Sequence, residues 1–150
     1  YMENFVKLHV RPLKNVKTIL DFGSGPYPML KKVLENLDYE VSDFDPFFNN
    51  NIEYLNSRYD LIIATEVFEH IQQPMLAFIQ LIELLNPKGK LVIMTQFRYM
   101  DVSEFNNWWY RRDQTHVSFF NELTFETICD ILSLKIVSSN QKDVIVLEQQ

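Results

Sequence analysis

Two glycines and three acids in the first half of the chain have the types and spacing expected of a nucleoside site. Gly23 and Gly25 lie in the segment 21–25, DFGSG, between an apolar run and a helical pattern. Glycine tolerates positive φ and has no Cβ, so its backbone can lie directly against a ligand. A strand, a glycine turn and a helix in this order indicate a nucleotide-type site at the edge of an α/β sheet, although an ordinary tight turn would use the same residues.

The residues around this turn argue against a phosphate ligand. A dinucleotide fingerprint needs a small third residue at the position where the chain has Pro28. Asp21 precedes the turn and would repel a phosphate, and the G-K-[ST] sequence of a P-loop is absent. We therefore expect a nucleoside without phosphates, in contact with Asp21, Gly23, Ser24 and Gly25.

Two further acids follow later predicted strands. Asp45 closes the second predicted strand, at the sheet edge where the glycine turn also lies. Its carboxylate can accept two hydrogen bonds from a ribose diol, or it can cap the turn before Pro46. Asp43 is an alternative ligand for the ribose. Glu66 follows the clearest predicted strand, and three acids around one crevice would suit a positively charged ligand.

The long segment 97–120 is both aromatic and polar, which is typical of a functional loop. His116 is the leading candidate for a general base, but it could equally be held by local backbone and packed beside neighbouring aromatics. Tyr110 is the second catalytic candidate. Together with Trp108 and Trp109 it could form a wall for a planar or lipid-like acceptor, or these rings could cap the core.

The remaining charged and metal-binding residue types carry less information. Arg111 and Arg112 could meet an anionic substrate, but a solvated face is the more common place for such charges. His70 is expected to be structural, at the start of a helix. No two histidines have the spacing of metal ligands and Cys129 is the only cysteine, so no metal site is expected.

The composition indicates a single folded domain over residues 1–150. Apolar residues make up 47% of the chain, enough for a sizeable core. The net charge of -6 disfavours a general nucleic-acid binder or anionic-membrane binder. The cysteine content fits the reducing cytoplasm, and the sequence has neither a membrane-spanning apolar run nor a signal-peptide pattern. The chain begins at Tyr1 rather than methionine, as a trimmed piece of a longer polypeptide would.

The elements that must position these residues alternate between strands and helices, which predicts a doubly wound, mostly parallel α/β sheet. Residues 1–15 are a helical or irregular lead-in with Phe5, Leu8 and Leu13 as possible anchors. A closing pair of strands predicts a hairpin at the sheet edge, with one antiparallel strand. The predicted strands are 16–22, 39–44, a brief 52–55, 59–65, 91–95, 134–139 and 144–148, and the predicted helices are 29–37, 75–85 and 124–133.

Five segments in this order resemble motifs of the class I S-adenosylmethionine-dependent methyltransferases. The third resembles a segment of the ubiquinone-biosynthesis-like branch, and the fifth resembles a segment of a bacterial subgroup of unassigned substrate. The fourth departs from the family's L-x-P-G-G turn, because Lys88 replaces the first glycine. The five segments are ILDFGSG (19–25), VSDFDP (41–46), YDLIIATEVFEH (59–70), LNPKGKL (85–91) and WWYRRDQTHVSFF (108–120).

The resemblance, which covers about residues 16–150, implies a Rossmann-like sheet of seven strands with the last strand antiparallel. It implies S-adenosylmethionine as cofactor and S-adenosylhomocysteine as product, with the two glycines under the methionine part and Asp45 on the ribose. The connection from Asp45 to Asp60 is too short for a full helix and third strand, so the strand-three region is shortened. Asn49 to Asn51 could stand in there for the usual adenine contact. The implied cofactor-binding residues are Asp21, Gly23, Ser24, Gly25, Asp45, Pro46, Glu66 and Val67.

The main functional hypothesis is an enzyme that transfers a methyl group, by in-line displacement, to an unidentified small-molecule acceptor. Residues 97–120 would cover the substrate side, and residues 1–15 would be the remnant of a cap. A general base such as His116 matters only if the acceptor is a weak acid such as a hydroxyl. One alternative is a domain that binds the cofactor without turnover in a larger assembly. The other is an NAD-type oxidoreductase, which Pro28 disfavours.

Overall fold

Four parallel strands and a C-terminal antiparallel pair form one six-stranded sheet in this computed structural model, which describes residues 1–150. The strands are β1 (Thr18–Phe22), β2 (Glu40–Phe44), β3 (Tyr59–Thr65), β4 (Leu85–Met94), β5 (Leu134–Ser139) and β6 (Val144–Gln149). Their order across the sheet is β2-β1-β3-β4-β6-β5. Strand β6 runs antiparallel to both β4 and β5. The predicted Rossmann-like α/β fold, with its antiparallel C-terminal strand, is confirmed.

Helices cover both faces of the sheet. They are α1 (Met2–Phe5, continued by a π-helical turn, Val6–Val10), α2 (Met29–Glu35), α3 (Pro74–Glu83), α4 (Val102–Asn107) and α5 (Glu122–Leu132). The sequence offers Thr124 or Asn121 as the cap of the last helix, and Asn121 is the cap in the structure, because its Oδ1 accepts the Thr124 N–H at 2.9 Å. None of these helices has the length and apolar character needed to cross a lipid bilayer.

The central strands are apolar along their length because both faces of a doubly wound sheet are covered. On one face, Leu20 and Ile62 pack in a core that includes Phe78 of α3 and Phe125 of α5. On the other face, the buried residues include Ile19, Leu61, Val92, Val10 and Leu34, the last two from the N-terminal helix and α2. The strands therefore form a rigid base whose carboxyl ends meet at one edge.

The sheet has six strands, and the expected seventh strand is absent. The predicted brief strand 52–55 is instead a 3₁₀ turn, Ile52–Asn56, that follows an isolated bridge between Asp45 and Asn49. A parallel strand needs a crossover of a dozen or more residues, and the connection after β2 is too short to supply both crossover and strand. Tyr54 from this turn is buried against Phe44 instead, with ring centroids 4.4 Å apart.

Two other local predictions differ from the structure. Among the proposed N-terminal anchors, Phe5 is buried but Leu8 is 55% exposed, since the π-helical turn directs Val6 and Val10 inward. Strand β4 begins at Leu85 rather than residue 91, because Leu85 already pairs with Tyr59 before a bulge over residues 86–89. The bulge does not move the carboxyl end of the strand.

The segment 97–120 contains α4 and a 3₁₀ turn, Trp109–Arg112, between the bridged residues Phe97 and Phe120. Trp108 and Tyr110 are buried, whereas Trp109 is 67% exposed. Two of the three rings therefore belong to the core, as the second interpretation of this aromatic run proposed. The neighbouring Arg111 and Arg112 side chains are exposed, as expected for a solvated face.

Candidate active site

The glycine turn after β1 is tied to the end of β2 by its own backbone. The N–H groups of Gly23 and Ser24 donate to the Phe44 carbonyl at 2.7 and 3.1 Å. Gly23 and Gly25 have φ of 83° and 67°, in the left-handed region. A Cβ on Gly23 would overlap the Val67 side chain, whereas one on Gly25 would meet nothing within 4 Å. Packing therefore requires the first glycine, and the second leaves its backbone open.

Asp45 caps the turn that follows β2. Its Oδ1 accepts the N–H groups of Phe47 and Phe48 at 2.9 and 3.1 Å, and its Oδ2 accepts the Gly25 N–H at 2.9 Å. These contacts fit the turn-cap interpretation. A carboxylate has about four acceptor sites, so Asp45 can still accept a further hydrogen bond from a ligand in the cleft at the carboxyl ends of β1, β2 and β3, which it lines.

Asp43 has different partners and does not line this cleft. Lys31 Nζ lies 2.6 Å from its Oδ1, and Asn49 Nδ2 donates to its Oδ2 at 2.8 Å. Although partial burial acts in the opposite direction, these hydrogen bonds hold the pKa of Asp43 below its usual range. Asp43 is therefore engaged within the chain, and Asn49 with it. Asn51 caps the 3₁₀ turn, so two of the three asparagines have structural partners.

The larger cleft, of about 610 Å³, lies at the carboxyl ends of β1, β2 and β3. It has the size and mixed lining of a small-molecule site. Five of the expected cofactor residues line it: Gly23, Asp45, Pro46, Glu66 and Val67. The other lining residues, which sequence analysis did not assign to the cofactor, are Phe22, Phe44, Phe47, His70, Ile71 and Thr115.

A smaller cavity, of about 460 Å³, lies on the other side of the glycine turn, against the N-terminal helix. Asp21 and Ser24 line it, and Gly25 lines neither cavity. Asp21 is 2% exposed and accepts no hydrogen bond. Burial, followed by the charge of Asp43, raises the pKa of Asp21 to about 7. A buried carboxyl without a partner beside a cavity is suited to a cationic group.

Glu66 directly follows β3 and has φ of 54°, an uncommon backbone conformation for a residue other than glycine. Its Oε2 accepts the Tyr110 hydroxyl at 3.1 Å. Partial burial, followed by the negative charge of Glu69, raises the pKa of Glu66. The same Tyr110 hydroxyl lies 3.1 Å from Thr95 Oγ1, and the ring is buried. Tyr110 does not line the larger cleft, and its hydroxyl is held between Glu66 and Thr95.

A buried acid and two histidines lie together beside the larger cleft. Glu69 is fully buried, and neither of its carboxylate oxygens has a hydrogen-bond partner. His70 Nε2 lies 3.9 Å from Glu69 Oε1, and the rings of His70 and His116 are 4.7 Å apart between centroids. The expectation of no metal site rested on spacing along the chain. Folding brings these distant histidines together, which removes the basis for that expectation.

The His116 side chain is held by local backbone and packed beside aromatic rings, which was the alternative to a catalytic role. Its side chain is 7% exposed, and its Nδ1 lies 2.7 Å from the Tyr110 carbonyl. It does not line the larger cleft, whereas His70 and Thr115 do. The signal for this grouping was present in the motifs E-x-x-E-H and T-H, but the distance between them could not be obtained from the sequence.

The chain was compared with protein-family models, curated proteins and solved structures. A family model described as a methyltransferase domain matches residues 2–139. No curated protein matches the chain. The similarity to solved structures therefore rests on fold, at identities of 17% or below among the three structures described next.

A SAM-dependent methyltransferase from Archaeoglobus fulgidus has a TM-score of 0.67 and 17% identity, over 98% of this chain and 92% of that chain. The plantazolicin methyltransferase BpumL, solved with a monoazolic desmethylPZN analog and SAH, has a TM-score of 0.63 and 16% identity, over 99% and 82%. The mitomycin 7-O-methyltransferase MmcR has a TM-score of 0.66 and 9% identity, over 90% and 49%. The present chain thus spans about half the length of MmcR.

Proposed function

This chain belongs to the methyltransferase domain family, and we propose that it transfers a methyl group from S-adenosylmethionine to a small-molecule acceptor. The observation that carries the proposal is the charge of the two cavities at the glycine turn. Their lining residues include the acids Asp21, Asp45 and Glu66 but no lysine or arginine. Such a surface disfavours phosphates and favours a cationic nucleoside.

The residues present fit the cofactor part by part. Asp45 borders the larger cleft with one acceptor site left, which suits a hydrogen bond from one ribose hydroxyl. The apolar side chains of Phe44, Phe47 and Ile71 line the same cleft and suit a planar base. Asp21 lies in the smaller cavity, without a partner, and suits the positively charged methionine part. The glycine turn lies between the two cavities, with Gly23 lining the larger cleft and Ser24 lining the smaller cavity.

The cofactor supplies an electrophilic methyl group, and the chain has to hold the acceptor in line with it and keep the site dry. Residues 97–120 contribute Thr115 to the cleft wall, which supports the proposal that this segment lies on the substrate side. A small organic acceptor fits the acidic net charge better than a nucleic acid does. The single, buried Cys129 is consistent with action in the reducing cytoplasm.

The alternative is a domain that binds the cofactor without turnover. A transfer assay with methyl-labelled S-adenosylmethionine and a panel of phenols, amines, carboxylates and short peptides separates the two. We expect transfer to at least one acceptor class, reduced about 10-fold or more in Asp21→Asn, because the variant removes the acid beside the methionine part. Asp130→Asn, a change on an exposed face of α5, is the matched control and should retain activity.

If the product S-adenosylhomocysteine binds but no acceptor in the panel is methylated, the binding-domain alternative is supported. If neither sulfur nucleoside binds, the proposed function is wrong.

A further inference from the structure

One cluster near the cleft is not needed for cofactor binding. We propose that Glu69, His70 and His116 bind a divalent transition-metal cation in the wall of the larger cleft. One ligand atom from each of these residues lies within 4.8 Å of the other two. In a tetrahedral site with ligand bonds of about 2.1 Å, the ligand atoms lie about 3.4 Å apart, so small side-chain movements would complete the site.

Both imidazoles are oriented as metal ligands usually are. His70 Nδ1 lies 3.2 Å from the Thr115 carbonyl, and His116 Nδ1 lies 2.7 Å from the Tyr110 carbonyl. A carbonyl can only accept, so each Nδ1 carries a hydrogen, and in the neutral form of each ring Nε2 is the nitrogen with a lone pair. Metal-ligating histidines are typically fixed in this way by a hydrogen bond from the other ring nitrogen.

Glu69 supplies an independent indication of a ligand. Its side chain is fully buried and neither oxygen accepts a hydrogen bond, a costly state for a carboxylate. The neighbouring Glu66 is also acidic, and His70 Nε2, at 3.9 Å from Glu69 Oε1, lies beyond hydrogen-bond distance. A bound cation would compensate the charge of Glu69 through one of its carboxylate oxygens and would use the Nε2 atoms of both histidines at the same time.

The backbone holds the cluster together before any ion binds. The Glu69 carbonyl accepts the N–H groups of Val117 and Ser118 at 2.8 and 3.1 Å. Ser118 Oγ also donates to the Ile71 carbonyl at 2.7 Å. These bonds join the 3₁₀ turn Phe68–His70 to the segment that carries His116. The ligands are thus positioned by two chain segments that are fixed to each other.

The donor set selects the class of ion. Two imidazoles and one carboxylate suit Mn²⁺, Fe²⁺, Co²⁺ or Zn²⁺, whereas Mg²⁺ and Ca²⁺ prefer oxygen ligands alone. Three protein ligands leave at least one coordination position open. His70 is partly exposed in the larger cleft, so an ion held here would lie at the cleft wall. Any action of that ion on a methyl acceptor rests on the proposed function, but the site itself does not.

The test uses the whole chain after treatment with a chelator, with Mn²⁺ and Co²⁺ as separate probes. We expect calorimetry to show one ion per chain, and Co²⁺ to give visible absorption bands of a site with nitrogen and oxygen ligands. Glu69→Gln and His116→Gln should each weaken binding by about 100-fold or more, because each removes a direct ligand. His9→Gln and Glu126→Gln change distant residues of the same types and should bind like the unchanged chain.

Binding of S-adenosylhomocysteine by His116→Gln shows that this variant is folded, and it separates this inference from the proposed function. The inference is overturned if the unchanged, folded chain binds neither ion at one per chain. It is also overturned if binding is the same in Glu69→Gln and His116→Gln. Metal binding without nucleoside binding would overturn the proposed function alone.

Discussion

At the residue scale, Asp21 carries the most information about the ligand, because it is buried without a partner beside a cavity. Its pKa is raised to about 7, chiefly by burial, from an ordinary value of 3.8. The folded chain therefore keeps a proton on Asp21 that the unfolded chain has already lost in the interval between these values. Its contribution to stability is largest below pH 4 and falls as the pH rises towards 7.

Asp21→Asn should remove this pH dependence. We expect the free energy of unfolding of the unchanged chain to fall by about 1–3 kcal/mol relative to the variant between pH 5 and pH 8, since one pKa unit corresponds to about 1.4 kcal/mol. Urea unfolding of both proteins at these two pH values measures the difference. Asp130→Asn, at an exposed position, should follow the unchanged chain. If the free energy of unfolding of Asp21→Asn changed with pH in the same way as that of the unchanged chain, the raised pKa of Asp21 would be contradicted.

The two glycines of the turn should respond differently to alanine. Gly23→Ala meets both a positive φ and overlap with Val67, so we expect about 2–4 kcal/mol of destabilisation. Gly25→Ala meets only the positive φ and should lose about 1–2 kcal/mol. Denaturant unfolding gives both values. Equal losses would mean that packing against Val67 does not distinguish the two positions.

At the element scale, Asp60 joins the starts of β1 and β3. Its carboxylate accepts the N–H groups of Lys17 and Thr18, at 2.9 and 3.0 Å, the Thr18 hydroxyl, and the Asn86 amide at 2.7 Å. Partial burial acts against these bonds, but together they lower the pKa of Asp60. Asp60, the acid near the start of the segment YDLIIATEVFEH, therefore stabilises the sheet. It lies at the amino ends of the strands, away from the candidate site at their carboxyl ends.

Asp60→Ala should lower the free energy of unfolding by about 2–4 kcal/mol, because it leaves several donors without their acceptor. The pKa of Asp60 is lower in the folded chain than in the unfolded chain. The contribution of Asp60 to stability is therefore fully present above its pKa in the unfolded chain. It is lost as the pH falls through its pKa in the folded chain. Unfolding of the variant and of the unchanged chain should converge in strong acid. A difference that stays constant down to pH 2 would exclude the anionic carboxylate as the cause.

The turn before the regular part of β4 contains a residue in an unfavourable conformation. Lys88 has φ of 62°, and it replaces the first glycine of the L-x-P-G-G turn that this segment resembles. We expect Lys88→Gly to raise the free energy of unfolding by about 1 kcal/mol, since the left-handed conformation costs an L-residue about 1–2 kcal/mol. Lys88→Ala, which keeps the cost of the Cβ, is the matched control and should bring no gain. Thermal unfolding decides between these outcomes.

The sequence predicted the elements whose cause is local, namely the apolar runs of β1 and β3, a cap of the last helix at Thr124 or Asn121, and the closing hairpin. It predicted from chain length that a full helix and third strand would not fit between Asp45 and Asp60, but the brief strand that it proposed at 52–55 is the 3₁₀ turn that carries Tyr54. At the site, the strand-end acids could be found because parallel strands bring their carboxyl ends together. The contact of His70 with His116 could not, since it depends on how the segment 97–120 returns across the sheet edge.

At the scale of the whole molecule, the sheet order places the glycine turn, Asp45 and Glu66 around one pair of cavities. Ligand binding at this edge connects the ends of β1, β2 and β3 with Thr115 of the segment 97–120 and should therefore stabilise the entire fold. At a concentration 100 times its dissociation constant, S-adenosylhomocysteine should add about 2.7 kcal/mol, or roughly 5–10 °C in Tm. Differential scanning fluorimetry measures this shift. An unchanged Tm at saturating nucleoside would contradict binding at this site.

The most direct test of the central claim is calorimetric titration of the chain with S-adenosylmethionine, S-adenosylhomocysteine and NAD. The acidic lining without lysine or arginine predicts that both sulfur nucleosides bind at one per chain and that NAD, with its pyrophosphate, does not. Asp21→Asn should weaken the binding of S-adenosylmethionine, and Asp130→Asn should leave it unchanged. Binding of NAD in preference to both sulfur nucleosides, or binding of none of the three, would contradict the account.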